Sequence, residues 1–146
     1  MTNLESTLGD DDRRFLTAFE SKALSPADFH HRDHLRAAWA MLRTYPLLEA
    51  IARYVAGLKG LATAAGKPGI YHETITWAYL LLLHERLAQD ADSLDAPLSW
   101  DAFAERHREL LTWRPSILEA YYAQGELESE LSRRVFVLPR GLPRLP

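Results

Sequence analysis

Three of the chain's six histidines fall within Phe29-His30-His31-Arg32-Asp33-His34, and a second polar group, Tyr71-His72-Glu73-Thr74-Ile75-Thr76, opens a long apolar stretch. Imidazole and carboxylate together suit zinc, manganese and non-haem iron, and imidazole is the side chain that exchanges protons near neutral pH. The sequence has no cysteine. Disulfides, thiolate nucleophiles, Cys-ligated zinc and iron–sulfur clusters are therefore excluded, and any chemistry falls to His, carboxylates, hydroxyls and amides.

The elements that must position these groups are legible from composition. A chain of 146 residues, 47% hydrophobic and 25% charged, has room for one domain with a core. Its net charge of -3 argues against a dedicated binder of nucleic acid or anionic membrane. Leu and Ala far outnumber Val and Ile, which predicts an all-α, single-domain bundle spanning residues 1–146. Pro26, Pro46, Pro68, Pro97 and Pro115 fall between stretches of helical periodicity and divide the chain into about six helices.

The first helix follows Asp10-Asp11-Asp12, the second runs from about His31 to Thr44, and the third follows Pro46 with an apolar stripe from Leu47 to Leu61. The fourth runs from about Tyr71 to Gln89 and is apolar almost all round its middle, as a central helix would be. Ser99 caps a fifth, and a sixth follows Pro115, restarting after Gly125. Residues 1–9 are expected to be flexible and 139–146 to form an extended Pro-rich tail. The polar, acidic start lacks the basic-then-apolar pattern of a signal peptide, and the run Trp77–Leu83 is far below the ~20 residues of a membrane helix. A cytoplasmic protein is expected.

At ~100° per residue, His31 falls within the apolar stripe of the second helix, His34 lies on its flank and His30 points outward. If short turns run the second, third and fourth helices up, down and up, the starts of the second and fourth share one end of the bundle. His31, His34, His72 and Glu73 then converge. His107 reaches partway, and His84, about 18 Å further along its helix than His72, does not. The leading expectation is an enzyme with a divalent metal, zinc, iron or manganese, held by His31, His34, His72 and Glu73. Glu73 would be either ligand or general base, with Trp39, Thr76 and Trp77 as substrate walls. The chemistry would be hydrolysis, lyase-type proton abstraction or oxygen chemistry.

Plainer readings stand beside it. The histidines at a helix start could be hydrogen-bonded or solvated, Glu73 could serve only the helix dipole, and Trp39 and Trp77 could be core. Thr76 could bond back to a helix carbonyl, and His107 could be a satisfied core residue. Two helix starts also disfavour a cation and favour an anionic substrate. Metal-free small-molecule binding or acid–base catalysis is thus the second expectation. A non-catalytic module, pairing with a partner or as a homodimer, is the third.

The motifs Phe29-His30-His31-Arg32-Asp33-His34-Leu35 and Tyr71-His72-Glu73-Thr74 resemble those of a group of uncharacterised small bacterial helical proteins, F-x-H-x-x-H-L and Y-H-E-T. The likeness extends through Tyr121-Tyr122 to the Pro-rich tail and implies His31, His34, His72 and Glu73 as the motif positions. A looser likeness to DinB-like bundles, which present three metal-binding histidines from separate helices, does not match the spacing here.

Overall fold

The computed structural model describes residues 8–139. Its helices are α1 (Asp10–Glu20), α2 (His31–Thr44), α3 (Leu47–Ala64), α4 (Glu73–Ser93), α5 (Trp100–Arg106), α6 (Arg108–Leu111) and α7 (Glu130–Arg134). Tight 3-10 turns lie at Pro26–Asp28, Pro68–Ile70 and Ile117–Ala120, and no strand occurs among the described residues. The fold is all-α. No helix among the described residues is long and apolar enough to cross a membrane.

The helix boundaries have local causes. Three aspartates occupy the first turn of α1, where the dipole favours negative charge, and two of them pair with Arg13 and Arg14 one turn on. At the start of α2 the Asp33 carboxylate accepts the otherwise free His30 N–H at 3.0 Å. α3 ends where Gly66 takes φ 75°, a left-handed conformation that costs glycine little. Ser99 Oγ accepts the Ala102 N–H at 3.2 Å and starts α5.

α2 sits at the centre, in contact with α1, α3, α4 and α6. Its run Ala37-Ala38-Trp39-Ala40-Met41 is 0 to 1% exposed, whereas α4 leaves Leu81 36% exposed. The centre is therefore α2 rather than α4. Alanines flanking one large indole let neighbouring helices approach on all sides, which leucines all round α4 do not. α1 and α3 come equally close: a Cβ built on Gly57 would lie 2.3 Å from the Phe19 ring. That ring is stacked between Phe29 and Tyr54 at centroid distances of 5.7 and 5.8 Å.

Three further sequence expectations are corrected. The helix after Pro115 does not form: residues 112–129 hold one 3-10 turn, and the chain turns at Gly125 with φ 88°. Local turns, such as Glu119 N–H to the Ser116 carbonyl at 3.0 Å and Glu126 N–H to the Ala123 carbonyl at 3.1 Å, bond the backbone of this segment, and side chains strap the extended chain after α7 to the fold. Thr74 Oγ1 donates to the Val135 carbonyl at 2.8 Å and accepts the Val137 N–H at 3.0 Å, and the Tyr122 hydroxyl donates to the Val137 carbonyl at 2.8 Å. Second, the fifth predicted helix breaks at His107 into α5 and α6, because that residue leaves helical backbone geometry. Third, Leu8, expected in a flexible start, is 4% exposed and part of the core. Residues 1–7 and 140–146, which hold most of the expected flexible start and extended tail, lie outside the described residues.

Candidate functional site

The starts of α2 and α4 and one face of α3 from Tyr54 onward line an open cavity of about 1080 Å³, at the upper end of ordinary ligand pockets. Each helix contributes a face at helical spacing. These are His31, His34 and Leu35 from α2; Tyr54, Leu58 and Leu61 from α3; and His72, Ile75, Thr76 and Tyr79 from the start of α4. The rest of the wall comes from the irregular segment, through Trp113, Arg114, Ser116 and Leu127, with Phe29 before α2, Tyr71 before α4 and Arg133 of α7. His31, His34, His72 and Thr76 thus share one cavity, as antiparallel α2, α3 and α4 require.

The three histidines do different work. His72 is the N-cap of α4: its Nδ1 accepts the Ile75 N–H at 3.1 Å, and its Nε2–H donates to the Leu127 carbonyl at 2.7 Å. Both ring nitrogens are engaged. His31 donates Nε2–H to the Leu110 carbonyl at 2.9 Å, which fixes the tautomer and leaves Nδ1 as an acceptor with no hydrogen-bond partner among the described residues. Burial holds its pKa below the ordinary histidine value, against the raising effect of the Leu110 bond. His34 packs edge-on to Phe29 at 4.6 Å. Burial, assisted by the neighbouring His31, lowers its pKa to about 4 against the pull of Asp33. It is a neutral imidazole at pH 7, and neither nitrogen has a hydrogen-bond partner among the described residues.

Around His31 the wall is aromatic. Its ring meets Tyr79 edge-on at 5.1 Å and Trp113 at 4.8 Å, while Tyr79 and Trp113 lie 6.5 Å apart. The Tyr79 hydroxyl and Ser116 Oγ share a hydrogen bond of 2.7 Å, and burial pushes the Tyr79 pKa up. Tyr54 donates its hydroxyl to the His34 carbonyl at 3.0 Å, bracing the start of α2 against α3.

The other predicted site residues lie elsewhere. Glu73 does not reach the cavity wall; its carboxylate accepts the Tyr71 hydroxyl at 2.6 Å. Trp39 is core, 5.5 Å from Trp100 and beneath the Arg43 guanidinium. Trp77 stacks on Phe136 at 5.8 Å, on another face of α4. Thr76 is on the cavity wall, but its hydroxyl bonds back to the His72 carbonyl at 2.7 Å. His107 is buried, donating to Asp90 at 2.8 Å and accepting from Arg86 at 3.2 Å.

This donor set does not fit the expected metal centre. His72 could ligate only by giving up a helix cap or its bond to Leu127, and Glu73 stands off the wall. Among the described residues no group of three or more His, Asp or Glu is placed to hold a metal ion. Sequence reasoning missed Tyr79 as a wall residue and Trp113 and Ser116 altogether. Tyr79 had a signal, since it lies seven residues after His72 on the same helical face; Trp113 and Ser116, in irregular chain, had none.

No protein-family model, curated protein or solved structure matches the chain.

Proposed function

We propose that this protein binds a small organic molecule in the cavity between α2, α3 and α4, without a metal, and that His31 is the group there able to take a proton from it. The observation that carries the reading is the presence of three ring nitrogens, Nδ1 of His31 and both of His34, unpartnered on the wall of a mostly apolar cavity. These nitrogens are open to the cavity rather than sealed in the core, so a ligand entering it can bond to them. Held by Leu110, the His31 ring is oriented as a general base: Nδ1 takes the proton, Nε2–H stays on the carbonyl, and the charge left on the ligand faces the new imidazolium. His34, with its pKa at about 4, serves as a neutral hydrogen-bonding group.

The test is occupancy. An amphipathic naphthalene-sulfonate dye should bind with a fluorescence rise in the wild type and fail to bind Ala62→Phe, which fills the cavity from α3. A ligand at a hundred times its Kd should stabilise the fold by about 2.7 kcal/mol. Zinc, manganese and iron salts should leave thermal stability unchanged. Stoichiometric metal in untagged protein, lost in both His31→Ala and His34→Ala, would overturn the metal-free reading.

A further inference from the structure

Resting on the cavity reading, we propose that the ligand is an uncharged planar ring bearing a hydroxyl, a phenol or its heteroaromatic counterpart, whose O–H is received by His31 Nδ1. The argument begins with shape. His31, Tyr79 and Trp113 form a cluster of three rings with centroid separations of 4.8 to 6.5 Å, a surface suited to a flat aromatic partner, stacked or edge-on.

Hydrogen-bond complementarity narrows the class. With Nε2–H committed to Leu110, His31 offers the ligand one acceptor and no donor. The Tyr79 and Ser116 hydroxyls bond to each other, so one of their two O–H groups is spent and one remains to donate. The neutral His34 ring on the same wall adds one N–H and one acceptor, so the wall offers both kinds of group, and an uncharged hydroxyl, which donates once and accepts in return, answers both. A carboxylate brings no donor and leaves the His31 lone pair facing negative charge. An ammonium leaves the remaining hydroxyl hydrogen unanswered and places a full charge against apolar walls, at a large desolvation penalty. The charged residues on the cavity wall, Arg114 and Arg133 against Glu119 and Glu128, balance in sign and select neither anion nor cation. The low pKa of His34 agrees, since surroundings that hold an imidazole neutral also disfavour a cationic ligand.

Three probes on one ring, naphthol, naphthoate and naphthylmethylammonium, test the class by tryptophan-fluorescence titration and ligand-observed NMR. Naphthol should bind wild type roughly ten-fold tighter than either charged probe, and His31→Phe, which keeps a ring but removes the acceptor, should abolish that preference. Because His31→Phe also loses the Leu110 bond, the wild-type protein supplies a second readout. In histidine ring-nitrogen NMR, naphthol should move the His31 Nδ1 resonance while Nε2 stays in place. If a charged probe binds as tightly as naphthol, or Nδ1 does not move, the phenol assignment falls and the cavity reading stands. If neither the dye nor any of the three probes binds, both fall.

Discussion

At the scale of single residues, His31, His34 and His72, three of the four histidines in the two motifs, differ because their ring nitrogens meet different surroundings. His34 has the clearest consequence. Its folded pKa of about 4 lies below the unfolded value of 6.5, so between those limits the unfolded chain binds more protons. The stability due to a neutral His34 is therefore complete above about pH 6.5 and is lost as pH falls towards 4, by up to about 3 kcal/mol. Denaturant melts at pH 7 and pH 5 should show this slope, and His34→Phe should flatten it. His72 acts through geometry. His72→Ala removes both the cap and the Leu127 bond and should cost about 2 kcal/mol, whereas His72→Asn, which can still cap, should recover about half. If the alanine variant unfolds like wild type in urea, the capping role fails.

At the scale of elements, close approach and strapping dominate. Gly57 lets α3 lie against the Phe19 ring; Gly57→Ala gains helix propensity but must displace that ring. The expected net loss is about 1 to 2 kcal/mol, read from urea midpoints. The extended chain after α7 is strapped to α4 by side-chain bonds rather than by a helix of its own. Thr74→Val keeps the shape of the side chain but removes both bonds to residues 135 and 137. It should destabilise by about 1 to 3 kcal/mol and increase hydrogen exchange across residues 127–137 more than in α2. Uniform acceleration across the chain would show that this strap is not a local unit.

At the scale of the whole molecule, a second polar cluster lies outside the cavity, joining the later part of α4 to the α5–α6 break. Asp90, 8% exposed, accepts from His107 at 2.8 Å and from Arg106 at 2.9 Å, while Arg86 reaches both His107 and Glu109. This arrangement turns His107 inward and seats α6, whose Leu110 carbonyl orients His31. Asp90→Leu leaves a buried imidazole without its acceptor. It should cost about 3 kcal/mol and lower Tm by roughly 10 °C. A ring-nitrogen spectrum of the same variant should also show the His31 bond to Leu110 weakened.

The sequence by itself determined the all-α fold and the starts of α2, α3 and α5, because proline punctuation, capping residues and 3.6-residue periodicity are local, and it brought His31, His34 and His72 together only on the premise that short turns make α2, α3 and α4 antiparallel. It did not determine what each histidine does. His72 looked like a ligand until Leu127, 55 residues away, took its Nε2–H, and His31 became a candidate base only through Leu110, 79 residues away. Glu73 and Trp77 point to other partners than periodicity assigned, since a helix apolar almost all round offers no single inward face. The tertiary structure alone decided these roles, because a ring nitrogen's chemistry depends on which distant backbone carbonyl its other nitrogen meets.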